Sequence, residues 1–77
     1  MTRQELHDKF LALRNRFTNM YQNSDLDITD TYYDKIYNWL NNIIYVLGFE
    51  PNLNESRLKA FENAYQEAQI KVYARHQ

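Results

Sequence analysis

The sequence predicts an all-α protein: an antiparallel helical hairpin with a leading N-terminal helix, three helices in one domain over residues 1–77, assembling as an oligomer. Three observations carry this. Apolar side chains recur at steps of three and four in three separate runs, the spacing that lines up one face of a helix. A residue able to cap a helix stands ahead of each run: Thr2, then Thr29, Asp30 or Thr31, then Asn52 or Asn54. The sole glycine, Gly48, and the sole proline, Pro51, punctuate the boundary between the second and third runs.

The first helix is expected over about residues 3–20. Thr2-Arg3-Gln4-Glu5 fits a capping box, in which Thr2 and Glu5 each satisfy a free backbone donor. Leu6, Phe10, Leu13, Phe17 and Met20 make its apolar stripe, and Leu11 sits off it. A polar, acidic loop follows over residues 22–29, with Leu26 and Ile28 expected to tuck back against the helices. The second helix, about residues 30–47, is apolar over most of its circumference. Tyr33, Ile36, Leu40, Ile43 and Leu47 form the main stripe, widened by Tyr37 and Ile44 on one side and by Tyr32, Trp39 and Val46 on the other. Such a helix needs cover on several sides, and a second copy of the chain is one source of it. Tyr45 falls on the polar face with the asparagines. Gly48 stands where a left-handed helix terminus is expected, with Phe49 folding back onto Ile44. The third helix is expected over about residues 55–75 with the stripe Leu58, Phe61, Tyr65, Ala68 and Val72, the small Ala64 and Ala68 permitting close approach. Leu11, Tyr45 and Ile70, all off the stripes, point to a second interface.

A chain of 77 residues lies near the lower size limit for folding on one hydrophobic core. It has no cysteine, so neither a disulfide nor a zinc–thiolate site can staple it, and oligomerisation is the usual remedy. His7 and His76 lie at opposite ends, so a histidine metal site would need assembly across chains; no metal and no cofactor are expected. No apolar run is long enough to span a bilayer, and the N-terminus lacks a signal-peptide pattern, so the expectation is a soluble, cytoplasmic protein with no membrane partner. A net charge of −1 argues against a duplex-DNA partner. The charge is uneven: residues 1–23 carry net +2, whereas residues 24–34 carry −4 from Asp25, Asp27, Asp30 and Asp34.

The search for chemistry is mostly negative. The run from Asp25 to Asp30 begins like a calcium loop, but Asp30 occupies the place of the obligatory glycine and Ile36 that of the bidentate glutamate. No nucleophile–histidine–acid set and no glycine-rich phosphate loop can be assembled, so no catalytic residue and no enzyme activity are assigned. Leu47-Gly48-Phe49, Pro51 and then Arg57-Leu58-Lys59 have the outline of a helix–turn–helix. The connection is too long, and Glu50, Glu55 and Glu62 would face phosphate, so a plain antiparallel turn is preferred. What stands out is the bend between the first two helices, where Arg14, Arg16 and Lys35 gather with Thr18, Asn19, Tyr21 and Tyr37. Guanidinium and ammonium groups pair with phosphate oxygens and phenol rings stack on bases, so these residues are the candidate anionic-ligand site. For rings on the core stripes, such as Phe17, Tyr33 and Tyr65, packing is the first explanation.

At these residues the chain resembles the phage anti-CBASS sponges, which share a helical-hairpin domain with certain anti-Thoeris sponges. The resemblance rests on Arg16-Phe17-Thr18, the short polar loop, Tyr33 with Ile36, and a last helix reading Glu62-Asn63-Ala64, Ala68 and Ala74-Arg75; it covers about residues 14–76. It departs from the family at Asn19, at the acidic loop and at Tyr37. The resemblance implies a dimer or a trimer of dimers that sequesters cyclic di- or trinucleotides without hydrolysing them, in the host cytoplasm if the gene is a phage's. Tyr21 or Tyr37 would then stack on a base, Arg14, Arg16 and Lys35 would meet phosphates, and Thr18 and Asn19 would hydrogen-bond to base or phosphate. Arg57 and Lys59 are the candidates for a second site. The alternative function is a small helical inhibitor, an immunity or anti-defence protein, that acts by docking on a protein partner.

Overall fold

The computed structural model describes residues 1–73, and among them it is entirely helical: α1 (Arg3–Gln22), α2 (Asp30–Phe49) and α3 (Glu55–Val72). The end of the expected third helix, with Ala74 and Arg75, and also His76, lie outside the described residues. No helix among the described residues is long and apolar enough to cross a membrane.

Cross-helix contacts fix the topology. Arg3 reaches the carbonyls of Leu47 and Glu50, Arg14 meets Asn41, and Thr18 meets Tyr33, so α1 and α2 run antiparallel. Met1 meets Glu62, Phe10 meets Tyr65, and Arg16 meets Tyr73, so α3 runs alongside α1 in the same direction. The most extensive helix interface is between α1 and α2. The most extensive pairing is therefore within the first two helices and α3 packs alongside it, whereas the sequence reading made α1 the appendage. The reason is that α1 buries four large side chains against α2, and α3 contributes smaller ones.

Each helix start follows local chemistry. Thr2 accepts from the Glu5 amide at 3.1 Å and its own backbone faces the Glu5 carboxylate, completing the capping box. The Thr2 hydroxyl and amide hold the Glu5 carboxyl below its ordinary range, since both bonds favour the ionised form. Of the three candidates for α2, Thr29 is the cap, accepting from the Tyr32 amide at 3.0 Å; for α3 the cap is Asn54, accepting from Arg57 at 2.9 Å.

The helix ends depart from expectation. Gly48 lies inside the last turn of α2 with negative φ, and the helix runs on through Phe49 to an extended Glu50. Phe49 does not fold back onto Ile44; it is 73% exposed and packs its ring on Tyr45, centroids 5.0 Å apart. The left-handed residue is Ser24, at φ 60° beyond the end of α1. Asp25 donates to the Met20 carbonyl at 2.8 Å and Ser24 to that of Tyr21 at 3.1 Å, the paired bonds of a Schellman motif. The chain then enters the loop, where Leu26 is buried and Ile28 packs against the core, as the sequence suggested.

The core is formed by Leu6, Phe10, Leu13 and Phe17 of α1, Ile36, Leu40, Ile43, Ile44 and Leu47 of α2, Ala68 and Val72 of α3, and Leu26 of the loop. Leu11, placed off the stripe by spacing, is half-buried and packs on the edge of this cluster. One chain thus covers the whole main stripe of α2 except the half-buried Tyr33. What stays outside is Tyr45, Phe49, Ile70, Tyr73 and Met1.

Three stability outcomes follow. Leu40 is fully buried, so Leu40→Ala is expected to lose about 2–5 kcal/mol in urea denaturation; a near-neutral result would displace the core from this face. Ser24→Gly removes a side chain from a left-handed position and is expected to stabilise the fold by about 1 kcal/mol. Gly48→Ala is expected to be neutral to stabilising, up to about 1 kcal/mol, because a β-carbon there meets only ordinary contact with the His7 ring, at 3.5 Å. Loss of stability in Ser24→Gly and Gly48→Ala would reverse the assignment of the two positions.

Candidate functional site

The residues expected to converge at the bend divide between two faces of the hairpin. Positions 14, 18 and 21 share one side of α1, and positions 33, 37 and 41 share one side of α2, each set being spaced by whole helical turns. These two sides meet in a polar seam with Tyr33 at its centre. Its ring stacks on Tyr21 at 4.0 Å between centroids, on Phe17 at 5.0 Å and on Tyr37 at 5.6 Å, with interplanar angles of 13°, 26° and 22°. The hydroxyls of Thr18 and Tyr33 are 3.0 Å apart and hydrogen-bonded, one donating to the other. Arg14 donates to Asn41 at 2.8 Å and to Asn15 at 3.1 Å.

This geometry constrains what the seam can bind. A base cannot enter between Tyr21 and Tyr33 without roughly doubling their separation, so stacking is open only on the outer ring faces. Asn19 is exposed and its side chain is not part of the seam. Arg16 lies on the α3 side of α1, its guanidinium carbon 5.6 Å from the centre of the Tyr73 ring. Lys35 lies on the α3 side of α2. The seam therefore holds Arg14, Thr18, Tyr21 and Tyr37 of the expected set, with one cation that already has two amide partners.

Lys35 opens onto a different arrangement. Between α2 and α3 runs a cleft of about 280 Å³ lined by Lys35, Ile36, Trp39, Glu67 and Lys71. The Lys71 ammonium lies 5.9 Å from the centre of the half-buried Trp39 ring and 3.6 Å from the Glu67 carboxylate one turn back. The Tyr32 hydroxyl donates to the Lys71 carbonyl at 3.2 Å, tying the rim of the cleft to the start of α2. An indole with one ammonium group over its ring and a second lysine lining the same cleft suits a planar ring that carries negative charge. The exposed Glu67–Lys71 pair is weak and can yield to a phosphate.

The candidates for a second site have other surroundings. Arg57 lies over Phe61 of its own helix, 5.8 Å from the ring centre. Lys59 borders a hollow with Glu55 and Glu62, where carboxylates outnumber it. Glu62 also binds the N-terminal amine at 2.8 Å and raises its pKa.

Reading the sequence alone missed Trp39 and Lys71 as cleft partners and Arg3 as a cross-helix clamp. Helical spacing places Trp39 at the margin of its stripe and says nothing of which residue, on another helix, lies opposite. Among the described residues, no cluster of three or more histidine or carboxylate side chains is placed to hold a metal ion. No protein-family model matches the chain, and neither a curated protein nor a solved structure does.

The role of the seam in the fold is separable by substitution. Tyr33→Phe keeps the ring stack and loses the bond to Thr18, an expected cost of about 0.5–1.5 kcal/mol. Tyr33→Ala removes the ring on which three others stack and is expected to cost about 3–5 kcal/mol. Equal losses in thermal denaturation would contradict the stacking arrangement.

Proposed function

We propose that this protein sequesters a cyclic di- or trinucleotide without cleaving it, as a homo-oligomer that blunts cyclic-oligonucleotide immune signalling. The observation that carries the reading is the α2–α3 cleft, which brings the Trp39 ring together with Lys35 and Lys71. A nucleotide needs both features at once, an aromatic platform for the base and cations for its phosphates. The cleft volume of about 280 Å³ suits one base with an adjoining phosphate, leaving the remainder of the cyclic ligand at the surface. The outer faces of Tyr21 and Tyr37, with Arg14 nearby, are a second stacking surface on the opposite side of the hairpin. The resemblance to sponge proteins read from a few residues of the sequence is what favours cyclic oligonucleotides among the anions that such a cleft would accept.

The chain holds a single tryptophan, so its fluorescence reports on this cleft alone. Titration with cyclic dinucleotides and trinucleotides is expected to quench Trp39 emission and to raise the melting temperature, since a ligand of the native state stabilises it by mass action. Trp39→Ala, followed by calorimetry, is expected to lose about 1–3 kcal/mol of binding. Lys35→Ala or Lys71→Ala should weaken binding and lower the salt slope by about one. Glu67→Gln should tighten it, because a competing carboxylate is gone. Ligand recovered after denaturation should be intact. If Tyr21→Ala and Tyr37→Ala abolish binding while Trp39→Ala does not, the seam is the site. A flat response to every cyclic nucleotide would overturn the reading in favour of the helical protein-binding inhibitor.

A further inference from the structure

We propose that the outer face of α2, presenting Asn38, Asn42, Tyr45 and Phe49, is where a second copy of this chain docks about a two-fold axis. The inference rests on the oligomeric part of the function proposed above and is independent of the ligand.

Tyr45 and Phe49 are 65% and 73% exposed, and they stand one helical turn apart with ring centroids 5.0 Å from each other. Their mutual contact restrains both rings before any partner arrives, which lowers the ordering cost of burying them. Asn38 and Asn42 continue the same exposed face toward the N-terminal end of the helix.

Charge identifies the occupant. A quarter of the chain is charged, yet residues 36–49 contain no charged side chain. In a two-fold interface the same patch meets itself, so a charged residue near the axis faces its own like charge. Amides and phenols have no such conflict, since an asparagine both donates and accepts and can pair with its own copy. Along α2 itself a strongly charged partner would find nothing to pair with, and the one guanidinium at the edge of the face, that of Arg3, is held by the Leu47 and Glu50 carbonyls rather than forming the basic rim a membrane surface requires. The other exposed apolar position on a helix, Ile70 of α3, is flanked instead by Glu67 and Lys71.

Shape agrees. Beside Phe49 lies a hollow of about 410 Å³ lined by Arg3, Gln4, His7, Leu47 and Gly48. The missing side chain at Gly48 keeps its floor open, and the partner's Phe49 ring is a fitting occupant. The result is a ring-into-hollow contact made twice, once on each side of the axis.

The test is sedimentation or light scattering of the full chain at micromolar to submillimolar concentration. The wild-type protein is expected at twice the chain mass of 9.4 kDa, or at a multiple of that dimer. Tyr45→Glu and Phe49→Glu are each expected to abolish the two-fold contact and reduce the mass accordingly, with helical circular dichroism unchanged because both side chains are exposed. Ile70→Glu, equally exposed on α3, should leave the assembly intact. A wild-type chain that stays at 9.4 kDa throughout, or an assembly that survives both α2 variants, overturns the inference. So does an assembly that dissociates with Ile70→Glu alone. A chain that dimerises through this face but ignores every cyclic nucleotide keeps the interface and refutes the ligand, so the two failures are distinguishable.

Discussion

Covering α2 is the requirement around which the bundle is organised. This helix carries apolar or aromatic side chains on most of its circumference, and no single neighbouring helix can shield that much surface. α1 takes one flank with a stripe of four large residues, and α3 takes the adjoining one with the small Ala68 and the branched Val72. The loop between α1 and α2 folds Leu26 underneath. Each of these pieces makes sense only against α2, and the face that neither helix reaches is the uncharged one bearing Tyr45 and Phe49.

Hydrophobic contact alone tolerates sliding between two helices, so something more must fix their register. Three polar pins do so along the α1–α2 seam: Arg3 at the far end, Arg14 with Asn41 at the middle, and Thr18 with Tyr33 near the loop. A slip of one turn would break all three and separate the stacked rings of Tyr21, Tyr33 and Tyr37. Aromatic residues at this seam thus have a structural duty whatever they bind. The α2–α3 cleft is different: Lys35 has no comparable packing role, and the indole of Trp39 and the ammonium of Lys71 meet over a surface that remains accessible.

Local chemistry was legible in the sequence, and contacts across the chain were not. The three stripes, the capping box at Thr2 and the folded-back Leu26 all follow from neighbours a few residues apart. The end of α2 was misread because glycine is the usual occupant of a left-handed terminus, and Gly48 was the only glycine available. The structure places the left-handed turn at Ser24 instead. Two Schellman bonds and the burial of Leu26 just beyond it offset a steric cost of about 1–2 kcal/mol. The candidate ligand residues were grouped by their nearness to the bend, but neighbours in sequence on a helix point in different directions. That is why Arg14 and Arg16, only two positions apart, lie on opposite sides of α1, and why Lys35 finds its company on α3.

The clamp made by Arg3 has a further meaning. Its guanidinium donates to the carbonyl of Leu47 at 2.6 Å and to that of Glu50, oxygens that the end of α2 leaves without helical partners. A cation at this negative helix end also meets the α2 dipole, whose last turn has no basic residue of its own. The terminus of α2 is thus sealed by a residue that lies 44 positions earlier in the chain, on α1. The α1–α2 hairpin is thereby joined at both ends, by the covalent connection over residues 23–29 and by this clamp, with no contribution from α3.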